Sequence, residues 1–407
     1  MKKRIAVVAT SAAIGLEKGL NRMFYLAEML SNHGYSVDFI TSDFQHWTKS
    51  HRDVNEVKSY GAKSNVILLH ECGYKKNVDP VRVYSHYMLA VRIGRYLRKH
   101  QYDLIYSDLP DNHVSAVCAK YAKRNGIPYV CDVEDLWPKA MKMAFNIPIV
   151  SPLVFSYFSH DAKLTYKLAS GVIGSSDTYR DDPLNYGIHI PNKATVYVGN
   201  DIALFDDGAK KYKNEIKKEK DEFWVTYAGT LGTSYDIKTL IEAADILKKK
   251  GENYIKIMIL GDGPLRNEFE ELANKLSGNV VFTGYLPFPK MAGYLVNSDI
   301  VVNSVKKNAP QSIVSKIGDY LASGKPMINT CVDQEFWNKV EDDGFGLNVM
   351  PEDNQALADT ILKLKNDPKK TGEMGIVARK IAEEQFDRAK AFTKIVDMIN
   401  GLLNEEG

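Results

Sequence analysis

Cysteine is scarce in this chain. Cys72, Cys118, Cys131 and Cys331 lie far apart, and no Cys-x-x-Cys occurs. That argues against a disulfide framework and against structural zinc, and it implies a reducing cytoplasm. Long apolar runs are missing too, since none reaches the ~18 residues of a membrane span. The first run, Ile5–Ala9 behind Lys2, Lys3 and Arg4, is too short for a secretory signal and leads into a glycine-bearing loop, so it reads as a buried strand. Net charge is small at +2, and no nucleic-acid partner is expected. No Asp-x-Asp stands on a predicted strand edge, so no metal cofactor is expected.

What remains is a globular composition, 44% hydrophobic and 26% charged over 407 residues, long enough for two domains. Residues 1–200 carry about +7 and the rest about −5. Either one half faces something anionic or the split is chance. In the first half, strand and helix patterns alternate in the doubly wound manner: strand Ile5–Ala9, a loop with Gly15 and Gly19, a helix from Asn21, and a strand at Val37–Thr41. A helix at 81–99 shows Tyr84, Tyr87, Met88 and Val91 at apolar spacing, with Arg82, Arg92, Arg95, Arg98 and Lys99 around them. That face either rests on anionic headgroups or is simply solvated. Asp132, Glu134 and Asp135 follow a strand, where α/β ligand crevices form; an exposed acidic turn is the plainer reading. The proline-broken apolar stretch 144–158 lines an acceptor groove, dips into a membrane interface, or packs on the core.

Residues 207–222 read as a solvated connector, and the pattern then restarts at Trp224. Gly229, Thr230, Gly232 and Thr233 put small residues ahead of a helix, a candidate phosphate seat. Gly261 and Gly263 form a second glycine turn, and Tyr285 and Leu286 follow a later strand. In Gln311–Pro326 the hydroxyls of Ser312 and Ser315 precede apolar positions 313, 317 and 321, predicting a helix from about Gln311. Its free N–H groups, with Lys316, suit a phosphate; an ordinary capped helix is the alternative. Two successive Rossmann-like patterns imply two domains facing one another across a ligand cleft.

The frame Gln311 to Asp319, continuing Tyr320-Leu-Ala-Ser-Gly-Lys-Pro326, is similar to the Glu-x7-Glu and Gly-Lys-Pro signature of glycosyltransferase family 4. Asp135-Leu-Trp-Pro138 resembles bacterial members that build lipid-linked surface polysaccharides, and the landmarks run from near residue 5 to near 400. The resemblance implies a GT-B fold, with an acceptor domain at 1–200, a donor domain at 201–385, and a last helix, 386–407, crossing back to the first. It implies retaining transfer from a nucleoside-diphosphate sugar, UDP-linked, to a glycan or polyprenyl-linked acceptor, at the inner face of a bacterial membrane.

In that frame Lys316, Asp319, Gln311, Glu134 and Asp135 take catalytic places, Glu134 standing where relatives keep a histidine. The donor would be held by Gly15, Gly19, the loops at 229–233 and 261–263, Tyr285, Leu286, and Ser312, Ile313, Val314 and Ser315. Gln311 and Asp319 depart from two glutamates. The amide at 311 carries no charge for an oxocarbenium-like centre. A non-catalytic companion subunit and a nucleotide-sugar 2-epimerase are therefore the other readings.

Overall fold

The computed structural model describes residues 2–15, 17, 21–76, 79–136, 150–309 and 313–404, with backbone alone at 150–154. Gly19, Gln311 and Ser312 lie outside the described residues, as do Trp137, Pro138 and 144–149 of the apolar stretch. The chain divides into two compact units, residues 1–196 with 392–407, and residues 197–391.

The first unit is built on seven parallel strands in the order β5-β2-β1-β6-β7-β8-β9. These are β1 Arg4–Val8, β2 Ser36–Ser42, β5 Asn65–Leu69, β6 Leu104–Leu109, β7 Tyr129–Val133, β8 Gly171–Gly174 and β9 Lys193–Thr195. A two-stranded hairpin, β3 Phe44–Gln45 with β4 Ser50–His51, folds off the end of β2. Runs such as Ile5–Val8 and Leu104–Tyr106 are apolar on both faces because helices cover both sides of a parallel sheet. The strand order reverses between β1 and β6, so the loops after those strands diverge and leave a crevice at their carboxyl ends.

Helix Pro80–Leu97 buries Ser85, His86, Leu89, Ala90, Ile93, Gly94 and Leu97. The expected stripe was one position out, and Tyr84 and Tyr87 are 57% and 48% exposed. Small residues decide the packing. A Cβ on Gly94 would lie 3.0 Å from Val117 on the neighbouring helix Asn112–Asn125, so the helices meet at the glycine face.

The C-terminal helix Thr393–Asn404 packs into the first unit through Ile395, Val396, Ile399, Leu402 and Leu403, as the GT-B expectation required. Phe392 meets Tyr25 edge to face at 5.4 Å. The single helix foreseen at 386–403 is instead a π-helical turn at Ala382–Phe386, a short helix Arg388–Ala391, and then this one.

The second unit repeats the plan with six parallel strands in the order β12-β11-β10-β13-β14-β15. They are β10 Phe223–Ala228, β11 Ile255–Leu260, β12 Val280–Gly284, β13 Ile300–Asn303, β14 Met327–Asn329 and β15 Gly346–Asn348. Its order reverses between β10 and β13. The foreseen connector at 207–222 is in part helix Ile202–Tyr212, capped by Asp201 on the Leu204 N–H at 2.9 Å. It buries Phe205 and sets Gly208 against Pro289, which only a residue without a side chain permits.

Candidate functional site

At the reversal point of the second sheet, the loop after β10 and the segment after β13 carry the candidate donor residues. The helix foreseen from Gln311 begins at Lys316 and runs only to Ala322, with no side-chain cap at Ser315. Ile313 and Val314 precede it, packed on the core rather than forming a first turn. The expected helical N–H cradle at Ser312–Ser315 is therefore corrected: among the described residues, 313–315 form a non-helical approach to a short helix.

Lys316 Nζ is shut away from solvent and has no hydrogen-bond partner among the described residues. It lies over two rings, 4.0 Å from the Tyr235 centroid and 4.7 Å from that of Tyr227. Burial pushes its pKa down to about 7. The Tyr227 hydroxyl donates to the Thr230 carbonyl at 2.8 Å, tying the lysine's aromatic seat to the glycine loop.

That loop is set by backbone packing. The Gly229 N–H donates to the Leu260 carbonyl, that of Leu231 to Asp262, and that of Gly261 to Gly284. Gly261 has φ 145°, and a Cβ there would overlap the Gly229 carbonyl oxygen; one on Gly263 would overlap that of Leu231. These glycines thus let two loops press together. The N–H groups of Thr230, Gly232 and Thr233 have no acceptor among the described residues and remain available to an anion.

Asp319, one helical turn beyond Lys316, accepts from Asn200 Nδ2 at 3.0 Å. Burial raises its pKa to about 6, against the lowering effects of Asn200 and of Arg388. Asn200 is itself fixed by backbone bonds, its N–H to Phe386 and its carbonyl from Arg388. Sequence reading passed over Asn200 as a site residue, although the Gly-Asn-Asp run at 199–201 was a usable signal. Tyr285 is 73% exposed, so it fills no core, and Leu286 packs partly against one. Lys238 is exposed and pairs with Glu242 at 3.5 Å, apart from this group.

In the first unit, Gly15 has φ 57° and lies where a Cβ would strike the Tyr60 ring, so a turn and its packing require glycine there. At the carboxyl ends of β6 and β7 the acids sort by environment. Asp132 is fully buried, taking Arg22 Nε at 3.0 Å, Arg22 Nη2 at 3.2 Å and the Tyr106 hydroxyl at 2.7 Å. Glu134 and Asp135 are half-buried, Glu134 3.6 Å from Arg22 and Asp135 capping the Leu136 N–H at 2.8 Å.

Asp108, missed in the sequence, is buried. Desolvation, and then Glu134, Asp111 and Asp132, push its pKa well above the ordinary carboxylate value. On the following helix, Asn112–Asn125, His113 Nδ1 lies 2.8 Å from Asp161 and 2.9 Å from the Tyr157 hydroxyl. Arg22, at the start of helix Arg22–Asn32, Asp108, on β6, and His113, in helix Asn112–Asn125, gave no local signal.

An amide-lined loop, a buried unpaired lysine and a carboxylate one turn on can together hold a diphosphate and a sugar hydroxyl. The fold around them is of the GT-B type. HepE of Anabaena, solved in complex with UDP, superposes with a TM-score of 0.70 at 18% identity, covering 98% of this chain and 100% of that one. Sucrose-phosphate synthase of Thermosynechococcus elongatus does so with 0.70 at 18%, covering 99% and 100%. Residues 222–367 match the family described as "Glycosyl transferases group 1". The alpha-monoglucosyldiacylglycerol synthase of Streptococcus pneumoniae is 25% identical over 193 residues, 44% of this chain and 41% of that protein. The chain spans less than two thirds of the length of the curated relatives it matches.

Proposed function

We propose that this chain is a glycosyltransferase that moves a sugar, with retention, from a UDP-sugar to a glycan or polyprenyl-linked acceptor in bacterial surface-polysaccharide synthesis. The observation that carries the reading is Lys316 Nζ, buried and, among the described residues, unpartnered beside a loop whose three N–H groups find no acceptor there. Leaving such a cation without a partner is costly, and a bound diphosphate would remove the cost. The group 1 match over 222–367 contains this whole constellation, and the UDP bound by HepE supports the choice of nucleotide.

In the reaction the glycosyl–phosphate bond breaks and negative charge grows on the leaving phosphate. Lys316, held charged by that phosphate, and the amides of Thr230, Gly232 and Thr233 stabilise it, since the loop's backbone packing already orients them. Asp319, steadied by Asn200, takes the ribose hydroxyls. The reading assigns no step to a metal. On the acceptor side Glu134 and Asp135 stand where a strand end presents them, with the buried Asp108 on the neighbouring strand β6.

Among the described residues no helix is long and apolar enough to cross a membrane. The surface of Tyr84, Tyr87, Arg95 and Arg98, all exposed along one face of helix Pro80–Leu97, supports docking on an anionic inner leaflet. Arg92 takes no part, since it donates to the His70 carbonyl at 2.8 Å. Liposomes with anionic lipid should retain the protein at low salt and release the Arg95→Ser/Arg98→Ser variant; equal recovery from neutral vesicles would remove the membrane element.

The function is tested by incubating the purified chain with a panel of nucleotide sugars and following nucleoside-diphosphate release. Release with a UDP-sugar, lost in Lys316→Ala, supports the enzyme. Thermal stabilisation by UDP with no turnover for any donor would replace it with the companion-subunit reading.

A further inference from the structure

Away from these residues, three side chains converge at the outer edge of the first sheet. Asp43 directly follows β2, His51 lies on β4, and His70 directly follows β5. His51 Nδ1 is 3.2 Å from Asp43 Oδ1, and His70 Nδ1 is 2.9 Å from Asp43 Oδ2. The two imidazoles stack at 5.5 Å with their planes 18° apart. One donor atom from each residue falls within 4.8 Å of the other two.

We propose that Asp43, His51 and His70 form a binding site for a divalent d-block cation of the Zn2+ or Co2+ kind. Ligands 2.0–2.1 Å from a tetrahedral ion stand about 3.3 Å from one another. The two histidine contacts, 3.2 Å to Asp43 Oδ1 and 2.9 Å to Oδ2, reach different carboxylate oxygens, and with one donor from each residue the three atoms lie within 4.8 Å, so the side chains would close by up to about 1.5 Å around the ion. Two imidazoles and one carboxylate favour zinc, cobalt, nickel or iron over calcium or magnesium. Side-chain exposures of 48% and 59% for His51 and His70 leave the fourth position open to water.

The surrounding contacts hold the donors in place, as outer contacts do at metal centres. The Glu71 N–H donates to Asp43 Oδ1 at 2.8 Å, and the Asp43 carbonyl takes the Arg52 N–H at 2.7 Å. Arg92 grips the carbonyl of His70 at 2.8 Å, and the Phe44 ring meets His51 edge-on at 5.5 Å. Bound there, the ion would staple the β3–β4 hairpin to the ends of β2 and β5. The site belongs to the first unit and the proposed diphosphate seat to the second, and it does not depend on the transferase reading.

The test is calorimetric titration of the full, tag-free, chelator-treated chain with Zn2+, alongside the visible spectrum on Co2+ addition. One equivalent should bind, with the intense absorption of four-coordinate cobalt. Affinity should fall at least tenfold in both His51→Ala and His70→Ala. Both residues are exposed, so the variants should fold, as circular dichroism would verify, and His33→Ala, an exposed histidine elsewhere, should bind as wild type does. If the wild type takes up no more metal than the His51→Ala/His70→Ala double variant, the site does not exist.

Discussion

The ammonium of Lys316 sits 4.0 Å from the centre of the Tyr235 ring, with no hydrogen-bond partner among the described residues. A ring face alone is a weak partner for a buried cation, worth about 2 kcal/mol when desolvated. The lysine therefore titrates near 7 instead of in its ordinary range. Asp319, one turn away, titrates near 6.

The affinity for UDP-glucose, whose diphosphate does not ionise in this range, should follow these two groups. The lysine must be charged to hold the phosphates, so rising pH removes the binding form. Above about 7, affinity should fall by about tenfold per pH unit. Below about 6 the Asp319 carboxylate is lost and affinity falls again. Calorimetric titration between pH 5 and 9 should give an optimum between the two values. In Lys316→Arg the alkaline limb should vanish, because guanidinium stays charged. A flat profile from pH 6 to 9 in the wild type would mean that Lys316 does not meet the diphosphate.

Asn200 offers a more local test. Its Nδ2 donates to Asp319 at 3.0 Å and favours the ionised carboxylate. Asn200→Ala should weaken UDP-glucose binding at pH 7 by roughly tenfold, about 1.5 kcal/mol for a lost bond to a charged group. The acid limb should also move to higher pH, since Asp319 loses a stabilising donor. Inorganic pyrophosphate, which has no ribose, should bind the variant as well as the wild type. Equal losses for both ligands would place Asn200 on the phosphates instead.

Much of this arrangement was legible in the chain itself. Alternating apolar runs and helix patterns, restarted at Trp224, carried the two doubly wound sheets, because parallel strands buried on both faces leave an unmistakable run. Lys316 and Asp319 stand one helical turn apart, so spacing alone places them side by side. The start of their helix was misplaced, since small hydroxyl residues precede many segments that are not helical. Asn200 and Asp319, or Arg22 and Asp132, meet only because segments far apart in the sequence converge. No local pattern encodes that, just as none foretold that Ser85, Ala90 and Gly94 would win the buried face from Tyr84 and Tyr87.

The glycine loops make a prediction about stability. Gly261→Ala would set a methyl group into the Gly229 carbonyl at φ 145°. The cost should be about 3 kcal/mol or more, the strain of a special backbone position added to a collision with backbone. Gly251→Ala, at φ 88° with open space around it, should cost only about 1–2 kcal/mol. Urea unfolding followed by the tryptophan signal, to which Trp224 and Trp337 of this unit contribute two of the chain's four tryptophans, would separate the two. Similar midpoints would show that the loop yields more readily than its packing implies.

Arg22 and Asp132 set the last expectation. Both are buried, joined by two hydrogen bonds, with the arginine carbon 5.0 Å from the centre of the Phe392 ring and Tyr106 completing the carboxylate's partners. A buried pair is not a large net gain, because desolvating two ions offsets most of their attraction; removing one member strands the other. Arg22→Ala should therefore cost about 3–5 kcal/mol, while Arg22→Met with Asp132→Leu, which removes both charges and keeps the volume, should cost less than that single change. Arg22→Lys should fall between, keeping the charge and losing the fork. Because Phe392 opens the returning C-terminal helix, the arginine also joins that segment to the first sheet. If the double change proves the most damaging of the three, the pair is needed for orientation at the ends of β6 and β7, and its role would have to be sought in acceptor binding instead of in stability.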